Sequence, residues 1–298
     1  MAIPARGRRS FLKGTIGAGW SMAAAAPRNS LPAVPLGGSH VSRLIAGGNP
    51  MRGFSHSSKK LSQHMLDYFS APQIAKFLLH CEAEGITTFQ SSYSETVRDG
   101  LTGAWERGSK IQFVCLTSDR HKDLEEVLRL KPVAICHHGG VTDSLFRARE
   151  FEKVHDFVKK VHDAGVLAGI STHKPENVAR IEDAGWENEL YMTCLYDMTR
   201  TGEELDKLLG RRVLGEVFVA SDPPRMAARI RQVRKPCLAF KILAAGRLCE
   251  TPKELEEAFR FAYANIKPED AVIVGMYPVF SDEIREDANL ARKYALPT

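Results

Sequence analysis

Three histidines stand where apolar runs stop. Val133 to Gly140 reads VAICHHGG, four apolar residues that meet His137 and His138 and then two glycines. Val166 to Ile170 leads in the same way into Ser171, Thr172 and His173. Imidazole exchanges protons near neutral pH and is the commonest metal ligand, so the pattern points to acid-base chemistry or to a nitrogen-bound divalent ion. The ion would use His137 or His138 with His173, and His56 as a further ligand. Adjacent strand residues face opposite sides, so only one of His137 and His138 enters a common site unless the strand ends between them. Other apolar runs also end in reactive groups: Gln90 to Tyr93, Thr117 to Asp119, Tyr196-Asp197, Lys241 inside Cys237 to Leu243, and Gly275 to Tyr277. The six cysteines show neither a CxxC pair nor a metal-type spacing and read as small buried hydrophobes, with disulfides left open.

Such groups meet only if the apolar runs are parallel strands that open on one face. Eight short runs begin at Val41, Ile86, Ile111, Val133, Val166, Leu190, Cys237 and Ala271. Stretches of helical spacing separate most of them, among them Ala71 to Gly85, Val97 to Arg107, Phe151 to Ala164, Pro175 to Ala184 and Lys253 to Ala264. Eight alternations over a chain of this size predict an α/β (β/α)8 TIM barrel, whose C-terminal strand ends carry the site. Gly47-Gly48-Asn49-Pro50 is not a dinucleotide fingerprint, which argues against a doubly wound sheet. The connection between the sixth and seventh strands is unusually long. This connection, in which Asp222-Pro223-Pro224 caps a basic helix, is expected from its length to overhang the site as a lid. His155, His162, Trp105 and Trp186 read as surface or packing residues.

Arg8-Arg9 followed by x-Phe-Leu-Lys, and then a small-residue apolar run to Ala26, has the form of a twin-arginine signal peptide over 1–26. A flexible linker is expected over 27–40 and a single barrel domain over 41–298. The expected location is periplasmic or otherwise exported, with the twin-arginine machinery as a transient partner. The first 26 residues hold four of the 41 basic residues and no acid, so the remainder nearly balances its 36 acids. That balance points away from nucleic acid and toward a small-molecule substrate. No later run is long enough to span a membrane, and nothing in the sequence fixes an oligomeric state.

The segments LAGISTHKPENVARIEDAG, LYMTCLYDM, CLAFKILAAGRL and VIVGMYPVFSDEIREDANL resemble successive stretches of aldo/keto reductases. The likeness runs from Ser42 to about Tyr294 and is best to the subgroup with G-x-S-x-H after strand five and K-x-L-x-x-G in strand seven. It implies an oxidoreductase that uses NADP or NAD on the carbonyl or alcohol of a small polar or sugar-derived substrate. On this resemblance His137, or His138 one position on, polarises the carbonyl, and Tyr93 gives the proton. Ser171 and Thr193 hold the carboxamide and Phe240 stacks on the nicotinamide. Gly275, Arg285 and Asn289 grip the adenosine phosphate. Two positions depart from the pattern: Gln90 stands where an aspartate is usual and Ser118 where a lysine is usual. Lys241 would supply the missing cation, bind a phosphate or carboxylate, or pair with Asp197; His173 adds a further acid-base group. Two other readings keep the scaffold. One is a lyase, isomerase or hydrolase acting on a carbohydrate-like substrate, and the other a catalytically silent binding protein.

Overall fold

The computed structural model describes residues 30–118, 124–211 and 213–296. The signal peptide expected over 1–26 lies outside them. A hairpin of β1 (Ala33–Leu36) and β2 (Ser39–Ser42) leads into β3 (Leu44–Gly47). After α1 (Lys59–Tyr68) and α2 (Ala71–Ala83) come β4 (Thr88–Ser92), α3 (Glu95–Glu106), β5 (Gln112–Thr117), α4 (Leu124–Arg129) and β6 (Ala134–His137). Then follow α5 (Gly139–Arg147), α6 (Glu152–Asp163), β7 (Leu167–Thr172), α7 (Pro175–Ala184) and β8 (Leu190–Cys194). The chain closes with α8 (Gly202–Leu209), α9 (Asp222–Ile230), β9 (Cys237–Phe240), α10 (Pro252–Asn265), β10 (Ala271–Gly275) and α11 (Glu283–Tyr294). Strands β3 to β10 form a closed, all-parallel barrel in the order β10-β3-β4-β5-β6-β7-β8-β9. The protein is a (β/α)8 barrel.

Two cores share the strands and so fix which way each side chain points. Ile45, Val114, Ala134, Cys136, Leu190, Met192, Leu238 and Ile273 fill the lower barrel interior. Their chain neighbours, such as Phe113, Ile135, Ile170 and Tyr191, pack outward in the main core beneath the helices. The linker expected over 27–40 is not what the structure has after residue 32. Val34, Leu36 and Val41 of the hairpin join the interior cluster and plug the barrel floor. An apolar barrel end needs such a cover, because open strand ends would leave Ala134 or Leu190 wet. Gly37 makes the hairpin turn at φ +57, lying against Leu167.

The lid expectation also changes. Met226 and Ile230 of α9 are buried and the helix packs against α7 and α10, so it is an ordinary member of the outer ring. Asp222 at its start is gripped by Arg200. All six cysteines are free thiols, and only Cys249 is exposed.

One buried acid gives the fold a pH dependence. Asp287 on α11 is buried, and burial, with Glu283 and Glu286 nearby, pushes its carboxyl well above the usual carboxylate range. A raised folded pKa means that stability is full below the unfolded value of about 4 and falls as pH rises from there. Asp287→Asn removes that loss. The variant is expected to melt higher than the parent at pH 7, with the gap closing toward pH 4, in thermal unfolding scans.

Candidate active site

The chain passes from β6 into α5 without a loop, so VAICHHGG is a strand end fused to a helix start. Parallel partners face the same way, and His137 pairs in register with Thr117 and Ile170, both on the outward side. Ala134 and Cys136 point in; His137 therefore points out. It is buried, its ring meets Phe157 of α6 edge-on at 4.9 Å, and Nδ1 is 2.7 Å from Thr142 Oγ1. This corrects the assignment of His137 to carbonyl polarisation, since its imidazole lies between strand and helix. His138 holds the mouth-side phase and is partly exposed. We expect His137→Ala to cost about 1–3 kcal/mol of stability through lost packing against Phe157 and the lost hydrogen bond to Thr142. His138→Ala should instead leave the melting temperature nearly unchanged and slow turnover about a hundredfold. Paired melting curves and rates distinguish the two.

His173 is the mouth histidine with a built support. It follows β7 directly, and its Nδ1 lies 2.7 Å from Asp143 Oδ2, whose side chain is fully buried. Asp143, one turn into α5, also accepts from the His173 amide at 3.0 Å, from Asn177 Nδ2 at 2.8 Å and from the Thr172 hydroxyl. With Nδ1–H donating to a carboxylate, Nε2 carries the lone pair. The ring packs edge-on against Phe240 at 5.8 Å and close over Gly139, where a Cβ would come within 3.0 Å of Cε1. A glycine fits there because a Cβ would crowd Ser171 Oγ as well as the His173 ring. Sequence reading missed Asp143. Its only trace is an acid beyond the glycine pair in an otherwise neutral stretch.

A second cluster stands beside it. Lys241 Nζ is 2.7 Å from His56 Nε2, and His56 Nδ1 is 2.7 Å from Glu216 Oε2. Burial first, and then Arg247, lowers the Lys241 ammonium below its ordinary range. Burial and Lys241 likewise lower His56. Lys241 does not pair with Asp197, whose partner is Lys174 at 3.0 Å. Glu216 and Phe218 come from the segment between α8 and α9, and Phe218 is held between Tyr196 and Arg247. That segment, rather than α9, lies over the strand-seven end.

The remaining expected residues divide. Ser171 is buried on the inward side, and its hydroxyl has no hydrogen-bond partner among the described residues. Ser118 and Gln90 are also buried. Thr193 pairs in register with outward-facing Thr172, so it points toward the helices and cannot hold a ligand in the mouth. Tyr93 lies by Arg98 of α3. Gly275 pairs with Gly47, and a Cβ on it would meet Pro50 at 3.1 Å. Arg285 is bound to Glu84 at 3.0 Å, and Asn289 accepts from Arg292 at 2.7 Å. Both groups serve contacts of α11. Among the described residues no group of three or more His, Cys, Asp or Glu is placed to hold a metal, and the His137-His173 pairing is excluded by the outward turn of His137.

The fold is a closed parallel barrel whose C-terminal strand ends gather these polar side chains. Solved structures share this architecture. The chain is similar to the apo form of Gox0644, at TM-score 0.52 and 10% identity, covering 90% of this chain and 97% of that one. It is similar to the glycerol dehydrogenase AKR11B4 from Gluconobacter oxydans, at TM-score 0.51 and 12% identity, covering 89% and 97%. A mutant of Gox0644 in complex with NADPH matches at TM-score 0.50 and 12% identity, covering 88% of each chain. At such identities the likeness is one of fold. No family model matches the chain, and no curated protein matches its sequence.

Proposed function

We propose that this chain is a barrel enzyme that moves protons on a small, polar, carbohydrate-like substrate bearing a carbonyl or hydroxyl group, an isomerase or lyase in class. The observation that carries this reading is the Asp143-His173 pair at the mouth. Asp143 fixes the ring and its tautomer, and the imidazolium formed on proton uptake is stabilised by the buried carboxylate. His138 is the second proton carrier on the mouth side.

A nicotinamide-dependent oxidoreductase is the second reading, favoured by the inward Ser171 hydroxyl, which has no hydrogen-bond partner among the described residues, and by the NADPH complex of a protein of like fold. The residues meet a cofactor only at one end. Ser171 and Phe240 suit a carboxamide and a ring, but Thr193 faces away, Arg285 and Asn289 are engaged elsewhere, and Met276 to Asp282 has no cation. The adenosine end of such a cofactor is left without a grip. Purified protein tested against a panel of aldoses, ketoses and sugar phosphates should turn over a substrate without added nicotinamide. Turnover that depends on NADPH or NADH, with a matching thermal shift, would establish the second reading instead. We also infer export by the twin-arginine route, tested by fractionation of cells carrying the chain with Arg8 and Arg9 replaced by Lys.

A further inference from the structure

Glu216, His56 and Lys241 form a continuous hydrogen-bonded series across three loops. His56 Nε2 receives two donors, Lys241 Nζ at 2.7 Å and Asn49 Nδ2 at 3.4 Å. It is therefore the lone-pair nitrogen, and Nδ1–H donates to Glu216. A carboxylate that orients an imidazole, and an imidazole within reach of a nucleophile's proton, is the arrangement that activates serine and cysteine nucleophiles. Here the third member is an amine.

The backbone adds an independent sign. His56 sits at φ +55 and Lys241 at φ +61, and Ala244 and Ala245 just beyond share that left-handed region. Side-chain-bearing residues rarely adopt it, and such strain persists where the surroundings hold it for a purpose. Lys241 is also next in the chain to Phe240, whose ring meets His173. Lys241 thus follows directly on the strand end that meets His173.

We propose that Lys241 is a nucleophilic amine that captures the substrate carbonyl as an imine, with His56 as its base and Glu216 as a positioning residue. This rests on the proton-transfer reading and names its covalent step. The Lys241 ammonium gives one proton to His56 Nε2. The nitrogen lone pair attacks the carbonyl carbon, the C–N bond forms, and the carbonyl π pair moves to oxygen, which is protonated. Both remaining N–H protons end on that oxygen, the C–O bond breaks and water departs, and the nitrogen lone pair closes C=N. Carbonyl plus amine gives imine plus water, with no oxidant or reductant. The imine withdraws electrons from the neighbouring carbon, and the proton released there goes to His173.

The test uses glyceraldehyde with cyanoborohydride, which traps imines as stable amines, followed by peptide mass mapping of the whole chain. Lys241 should be modified about tenfold faster than Lys253, a lysine whose side chain is 84% exposed. Glu216 is about half exposed, so Glu216→Gln should fold normally and bring the Lys241 rate down about tenfold. The groups that face Lys241 are His56, Glu216, Arg247 and the buried Cys194 thiol. In the parent the Lys241 rate should level off at lower pH than the Lys253 rate, and this offset should widen in Glu216→Gln, which removes a carboxylate that raises Lys241. Labelling of Lys241 no faster than Lys253, or unchanged in Glu216→Gln, would overturn the proposal. His173→Ala keeps the labelling and loses the proton exchange, so failure of the amine and failure of the acid-base reading give different results.

Discussion

Replacing Asp143 by asparagine is expected to lower turnover about a thousandfold while the barrel stays folded. The amide keeps the volume but offers an N–H to His173 Nδ1, which then has to present its lone pair and put the proton on Nε2. The ring faces the mouth in the wrong tautomer. Asp143→Ala goes further. It leaves the Thr172 hydroxyl and the His173 amide without their acceptor in a buried place and removes one of the two acceptors of Asn177 Nδ2. Unsatisfied buried groups cost about 1–3 kcal/mol each, so this variant should lose both activity and several kcal/mol of stability. Kinetics read beside chemical denaturation distinguish the two variants. Asparagine should alter the rate far more than the stability, and alanine should alter both.

The second large effect is at the other end of the barrel. Leu36, 2% exposed, closes the floor together with Val34 and Val41. Leu36→Ala is expected to destabilise the protein by about 2–5 kcal/mol, as for other buried leucines. Urea unfolding monitored by tryptophan fluorescence and by circular dichroism should show one earlier, still cooperative transition. A linker residue would show no change at all.

These two positions mark where the sequence is readable and where it is not. The eight barrel strands are legible because each is a short apolar run, buried on both faces as parallel strands are. That same double burial hides which residues face inward. In β6 every residue is buried, so His137 and His138 are equivalent candidates until register with β5 and β7 sets the phase. Helix α5 is concealed because it opens with two glycines, poor helix formers, and Asp143 is hidden with it. Helix α1 buries only Met65 and offers little apolar pattern. The hairpin reads as linker because Pro, Gly and Ser mark turns as readily as tethers. His56 and Glu216 are far apart in sequence and no periodicity joins them to Lys241. Only the fold of the long β8-β9 segment over the mouth brings them together.

That the mouth moves protons through His173 is tested most directly by incubating the protein with candidate aldoses and ketoses in deuterium oxide, without nicotinamide. Proton NMR follows exchange of the hydrogen next to the carbonyl. Exchange is expected with at least one sugar-like substrate, slowed about a thousandfold by His173→Ala and little changed in rate by His137→Ala. Exchange that is indifferent to His173→Ala, or that appears only when NADPH or NADH is supplied, would contradict this role for His173.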